Sequence, residues 1–325
     1  MVYKKKIMVL SGIIASLVVI YILTFIFDPQ RLGARSDMYS WLEPEMKERI
    51  TGISISGMTD GESIRLEQNG GVWFVLREGK RYPARQARID DFIDALTRRA
   101  SYPIRSSSVS SHERLSLTED TATRIMVTGG IGMPLLNLLM GQRDMTGQNI
   151  YLRKQGNNEV RSGDDLFSTY VFSEVSSWFN LRLFPENETG RLDVSDVQRL
   201  IVYHPVTEDD EEAQPPMMFT RNNREWDFSF DLENPDFARV NTYIRDILTT
   251  SGSDFIDDVA VNDSLFDYSR IILEIGDGSS RTLHIGPPDE DNWRYATVTG
   301  SGLVYSLPAW SADRLFARAG DFELN

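Results

Sequence analysis

Residues 7–27 form an uncharged, almost wholly apolar run, and beyond it the hydrophobic positions follow two rhythms that each occur twice. A strand pattern opens the first stretch at Ile53-Ser54-Ile55 and the second at Leu200-Ile201-Val202. Each continues through a polar turn, Asn69-Gly70-Gly71 or Arg221-Asn222-Asn223, into a tryptophan strand around Trp73 or Trp226. Such turns accept the positive φ that a tight hairpin requires. The rhythm then becomes helical. Ile89, Phe92, Ile93 and Leu96, and later Val240, Tyr243, Ile244 and Ile247, fall at i, i+3, i+4 and i+7, which puts one buried stripe on a helix. The two tryptophans are 153 residues apart, and all four helix positions are separated by 151.

The correspondence continues to the C-terminus. Arg124-Ile125-Met126-Val127 matches Arg270-Ile271-Ile272-Leu273, and Leu138-Leu139-Met140-Gly141 matches Leu283-His284-Ile285-Gly286. Tyr151 with Tyr295 and Val160 with Val304 mark two further strands. Ser162 and Ser306 are then read as N-caps of a closing helix, with Pro308 near the first turn of the second one. Order preserved across six elements points to an internal duplication. The predicted fold is α+β, an N-terminal transmembrane helix followed by two tandem repeats of a mainly antiparallel sheet with helices packed on one side. The boundaries are 1–27 for a cytoplasmic stub and anchor, 28–49 for a juxtamembrane linker, 50–185 for the first repeat, 186–193 for a hinge and 194–325 for the second repeat. Tyr39 and Trp41, in the linker, are expected to pack on the first repeat.

The apolar run spans about 30 Å as a helix, the thickness of a hydrocarbon core, and is too long for a signal-peptide core. Ile7, Leu10, Ile13, Leu17, Ile20, Leu23 and Phe27 are the anchor positions. Lys4, Lys5 and Lys6 favour a cytoplasmic N-terminus, so the remainder of the chain is expected on the far side, in the periplasm of a bacterial inner-membrane protein. Gly12, Ala15 and Ser16 are small enough to let another helix approach.

Charge adds to this picture. The chain carries a net charge of −14 and lacks cysteine, which excludes a disulfide framework and a thiol nucleophile. An acidic ectodomain has no footprint for nucleic acid. Catalytic signatures are weak. His112, His204 and His284 lack metal-ligand spacing. His112 lies among serines 106–116, but no nucleophile elbow surrounds them. The acidic run from Glu208 to Glu212 lacks a calcium-loop frame and reads as a solvated extension. Gly129-Gly130-Ile131-Gly132 reads as a turn between strands, without the lysine of a phosphate loop. Asn187 and Asn262 open glycosylation sequons. No cofactor, metal or catalytic residue is therefore assigned. Trp293 and Tyr295, with Met217 and Met218, are the candidate interaction surface, whereas Tyr305 and Trp310 are read as core. Met217-Met218-Phe219 and Ile53-Ser54-Ile55 are candidate edges for accepting a partner strand.

The anchor, the Gly71-Val72-Trp73-Phe74 hairpin, the step Tyr82-Pro83-Ala84 into the first helix, and Leu139-Met140-Gly141 followed by Gln148-Asn149-Ile150-Tyr151-Leu152-Arg153 together resemble the family called domain of unknown function 4340. The resemblance spans nearly the whole chain. It implies a bacterial membrane-anchored protein that works beside a gliding-motility-type ABC permease, its ATPase and auxiliary membrane proteins, and it brings no catalytic residues. The expected function is a non-enzymatic accessory or scaffold subunit held in the lipid bilayer. A ligand- or glycan-binding module using a cleft between the repeats is the alternative, and an envelope hydrolase is a third.

Overall fold

The computed structural model describes residues 14, 16–19, 21, 37–57, 63–184, 192–205, 215–223 and 225–324. Most of the anchor therefore lies outside the described residues, as do Lys4, Lys5, Lys6, the hinge core at 185–191 and the acidic run 208–212. Ile14, residues 16–19 and Tyr21 are helical, and Ile14, Leu17, Val18 and Val19 are all at least half exposed. Among the described residues no helix is long and apolar enough to cross a membrane.

The protein is mainly antiparallel β, with a few short helices and two large sheets of nine and eight strands. It divides between Trp178 and Phe179 into two compact units. The first contains β1 (Met38–Tyr39), β2 (Ile50–Ser56), β3 (Ile64–Asn69), β4 (Val72–Arg77), β5 (Lys80–Pro83), α1 (Gln86–Thr97), β6 (Ala100–Ser101) and β7 (Ile104–Ser106). It continues with α2 (Ser110–Arg114), β8 (Thr123–Gly129), β9 (Pro134–Arg143), β10 (Asn149–Lys154), β11 (Val160–Asp164) and α3 (Ser168–Val171). The second contains β12 (Val197–Tyr203), β13 (Met217–Asn222), β14 (Glu225–Phe228), α4 (Phe237–Thr249) and β15 (Asp254–Ile256). It ends with β16 (Ser269–Ile275), β17 (Ser280–Ile285), β18 (Trp293–Val298), β19 (Val304–Pro308) and α5 (Ala309–Asp313).

The first sheet runs β5-β4-β3-β2-β8-β9-β10-β11-β7, and the second β14-β13-β12-β16-β17-β18-β19-β15. Aligned from β4 and β14 onward, the two orders coincide strand for strand; β5 is the single addition. Two-residue turns close the hairpins, with Gly70 and Gly71 at φ 59° and 85° in one and Asn223 at φ 57° in the other. The tryptophan strands and both helical stripes lie where their patterns predict. Ile89, Phe92, Ile93 and Leu96 are buried, as are Val240, Tyr243, Ile244 and Ile247. In the second unit the helix meets the sheet through Tyr243 on Phe219, 5.9 Å between ring centres, and through Trp226 Nε1 donating to Asn241 Oδ1 at 3.0 Å. Each fully buried side chain of this kind contributes about 1.5–3 kcal/mol.

Strand alternation leaves each sheet a second face. In the first unit the segment 107–122 covers it. Leu115, Leu117 and Ala122 pack there with Leu139 and Val160, and Tyr151 lies against them. The close approach depends on Gly141, since a Cβ there would stand 2.1 Å from the Leu115 carbonyl oxygen and 2.9 Å from Leu117 Cγ. Gly286 holds the matching place in the second unit, with Leu265 Cδ1 2.5 Å from where its Cβ would be.

Three expectations need correction. Ser162 and Ser306 are not N-caps but interior residues of β11 and β19, paired with Tyr151 and Tyr295. The strands run on because edge partners hold them there: Ser162 N–H donates to Pro103 O, and Ser306 O accepts from Ser253 N–H at 2.8 Å. Met217-Met218-Phe219 and Ile53-Ser54-Ile55 are not edges either, because β13 lies between β12 and β14, and β2 between β3 and β8. Residues 179–184, read with the first repeat, join the second unit, where Leu183 N–H donates to Thr250 O and Gly252 N–H to Leu181 O. Tyr39 and Trp41 do pack on the first unit. Trp41 is 2% exposed, its ring 5.1 Å from those of Tyr39 and Tyr102.

The Gly141 contact yields a direct test. Replacing Gly141 by alanine forces the covering segment off β9, and the expected loss is about 1–3 kcal/mol, read as a lowered denaturation midpoint, whereas alanine at Gly130, with open space around it, leaves the midpoint unchanged.

Candidate functional site

The sequence points to Trp293, Tyr295, Met217 and Met218, and the structure separates them. Met217 is 8% exposed and faces the core, while Met218 is 37% exposed. Adjacent strand residues point to opposite faces, so only one of the pair reaches solvent, and Met217 is removed from the surface. Met218 lies on β13 and Trp293 on β18, with β12, β16 and β17 between them. At about 4.8 Å per strand the two are roughly 19 Å apart and do not form one patch.

Trp293 and Tyr295 stay together on the second face. Asp289 organises the turn before them: its Oδ1 accepts from Trp293 N–H at 2.8 Å and Asp291 N–H at 3.0 Å, and its Oδ2 from the Tyr295 hydroxyl at 3.4 Å. Burial, then the negative charges of Asp289, Asp258 and Asp291, raises the Tyr295 phenol above its ordinary pKa. At this corner Trp293 is exposed, whereas Tyr295 is part-buried, as the matching Tyr151 is. The connection 257–268 replaces 107–122 of the first unit, where the matching Tyr151 is packed under the longer segment. Asparagine at 292 takes φ 60°, which lets the turn close.

Trp310 also reverses its expectation, being 66% exposed. Ala312 of α5 and Leu315 just after it are buried, so position 310 faces out. It borders a cleft of about 210 Å³ with Asp246, Thr249, Ser251 and Arg314. The first unit has a cleft of about 480 Å³ in the corresponding place, between α1 and α3, lined by Asp91, Asp94, Arg98, Leu166 and Tyr170. Beside it Arg88 lies over the Trp178 ring at 4.8 Å and the Tyr170 ring at 5.3 Å, and donates to Thr169 O and Ser173 Oγ. Burial lowers the Arg88 pKa. In the second unit Arg294 is 7% exposed and pairs with Asp313 at 2.6 Å, while its Nε and Nη1 have no partner.

The histidines hold carbonyls rather than acid–base partners. His112, in α2 rather than a loop, shares a hydrogen bond with Asn158 O at 3.2 Å, His204 with Ala317 O at 2.9 Å and His284 with Phe266 O at 3.3 Å. The neighbouring Ser111 hydroxyl donates to Ser108 O and not to His112. Among the described residues no group of three or more His, Asp or Glu side chains is placed to hold a metal ion. Gly129 to Gly132 form a turn, with Ile131 at φ 60° and fully exposed.

Between Leu139 and Arg153 several side chains and one glycine perform structural tasks. Gly141 admits Leu115. Arg153 is 7% exposed, and its guanidinium donates to the carbonyls of Leu117 and Asn157, which fastens the covering segment to the β10–β11 turn. Asp144 closes the β9–β10 turn by accepting from Asn149 Nδ2 at 2.8 Å and from Thr146 Oγ1 at 2.7 Å. The chain matches no family model, no curated protein and no solved structure.

The hydrogen bonds from Asn149 and then Thr146 hold Asp144 at about 2, below its ordinary 3.8. A depressed carboxylate contributes stability above its unfolded pKa and loses it as pH falls through the folded one. The turn's amides at Thr146 and Asn149 should therefore keep their exchange protection at pH 5 and lose it between about pH 4 and pH 2, ahead of the sheet; Asp144→Asn should abolish that acid step.

Proposed function

We propose that the protein is a membrane-anchored, extracytoplasmic scaffold of an ABC-type transporter assembly, built from two copies of one α+β module. The observation that carries the reading is the exposure of Ile14, Leu17, Val18 and Val19 on helical backbone, in a chain whose other apolar stripes are buried. Consecutive apolar side chains left in water mark contact with lipid or with another helix. The run 7–27 around them has the length of a bilayer crossing, and three lysines precede it. The common strand order of the two sheets, differing by β5 alone, supports duplication. Lysine placement favours a periplasmic location for both modules, and the resemblance to the domain of unknown function 4340 family favours an ABC permease, its ATPase and auxiliary membrane proteins as partners. The three histidines, Ser111 and Arg153 hold main-chain carbonyls, which suits an adaptor better than an enzyme.

Purification of the full-length chain from its native membrane in mild detergent, beside a version lacking residues 1–27, tests this. Stoichiometric recovery of a permease and its ATPase with the full chain is the expected outcome. Recovery of the full chain alone, in the soluble fraction or without membrane partners, overturns it.

A further inference from the structure

Two hairpin tips of the first sheet are aliphatic where the corresponding tips of the second are charged. The β8–β9 connection, Gly129-Gly130-Ile131-Gly132-Met133, presents a fully exposed Ile131 and a half-exposed Met133. Val72, which follows the β3–β4 turn, is also about half exposed. The pairs Asn69↔Val72, Gly52↔Glu67 and Ile50↔Gly129 place both tips at one end of the sheet. β4 and β8 are three strand spacings apart there, roughly 14 Å. In the second unit Glu225 stands where Val72 does, and exposed Gly276-Asp277-Gly278-Ser279 forms the tip that matches Ile131. Residues 68–76 and 125–142 contain no Asp, Glu, Lys or Arg, in a chain that is 25% charged. Neither packing nor backbone preference retains Ile131. Its φ of 60° lies in the left-handed region, where a β-branched side chain is crowded. Among the described residues the other non-glycine positions with positive φ are Glu78, Ser116, Asn223 and Asn292, none of them β-branched. An exposed aliphatic side chain held in a disfavoured conformation points to a contact outside the chain.

We propose that the β8–β9 tip, with Val72 beside it, seats in the headgroup and acyl boundary of the lipid bilayer that holds the anchor. The contact rests on the anchor reading given above and adds to it a second, separate attachment of the first unit. Ten residue steps join Phe27 to Asp37, where the first unit begins, and whatever their conformation they span at most about 36 Å. The first unit is therefore the one tethered directly to the bilayer, and it is the one with aliphatic tips. Ile131, Met133 and Val72 bind lipid weakly by themselves. On a tethered unit the contact is intramolecular, so little affinity suffices. The absence of charge at the tips removes the main cost of leaving water. With a net charge of −14 the chain gains nothing from anionic lipid, so the seating is hydrophobic and insensitive to salt. A seated tip turns this end of the first sheet toward the bilayer.

The chain has no cysteine, so spin labels can be placed singly. Gly130→Cys puts one at the tip, where the space is open. Met145→Cys puts a reference beyond the other end of β9, roughly 30 Å away, on a fully exposed side chain that follows Arg143 and Asp144. The full-length labelled chain is reconstituted in phosphatidylcholine vesicles without other protein. Relaxation of each label by oxygen, which concentrates in lipid, is compared with relaxation by a water-soluble nickel chelate. Oxygen is expected to dominate at 130 and the chelate at 145, equally at low and high salt. Ile131→Asn suits φ 60° better than isoleucine and so keeps the turn. It is expected to lower the lipid-seated population about tenfold, the effect of losing one buried aliphatic side chain. A label at 130 that meets the chelate as freely as the one at 145, or seating that disappears in high salt, overturns the proposal. A tip that seats on a protein partner instead stays in water here and gives that same negative result. Flotation of the vesicles reports the anchor separately. A chain that floats while its label at 130 stays in water loses the tip contact and keeps the anchor, whereas a chain that does not float loses both.

Discussion

A β-sheet has two faces, and each half of this chain supplies a single long amphipathic helix. Covering the second face is the constraint on which the rest of the structure depends. In the first unit the cover is a loop whose main chain must approach β9 to within van der Waals contact, and Gly141 makes the approach possible. Leu139 can then be as buried as its neighbour Leu138, although the two point to opposite faces. Arg153 completes the arrangement. It is buried without a carboxylate, and burial lowers its pKa, yet three main-chain hydrogen bonds hold it. A lysine there could not span the same carbonyls with a planar fork.

The second unit meets the same constraint with a shorter cover, and its surface chemistry follows from that economy. A turn at Ser264–Asp267 sits over β16 to β18, with Asp263 capping it at 3.0 Å and His284 reaching Phe266 O. Trp293 lies past its reach and is 37% exposed, while Tyr295 is part-buried. Their acidic surroundings repel polyanions and anionic lipid alike, which is consistent with the net charge of −14.

What the sequence reveals is what local periodicity encodes. The two helical stripes, the two tryptophan hairpins and the central strand pairs carry strong patterns, because one face of each element meets the core and the other meets water. The misreadings occur where a neighbour from elsewhere in the chain decides. Ser162 and Ser306 look like caps, but β7 and β15 extend the strands through them. Those edge strands are three residues long, too short to show alternation. Trp310 looks like core by size, and only the rotation of α5, set by Ala312 and Leu315, turns it outward. For the candidate surface, Met217 and Met218 are chemically alike, and strand register alone tells them apart.

The shared strand order of the two sheets makes the differences between the units more informative than the similarities. Where both units keep a feature, as with Gly141 and Gly286 or Trp73 and Trp226, a shared packing requirement explains it without any function. Where they differ, folding alone cannot account for the choice, since the other copy folds with the alternative. The longer cover of the first unit and its β5 strand close a face and an edge. The second unit leaves Trp293 exposed on the corresponding face and redirects the chain after Phe228 to the C-terminal segment.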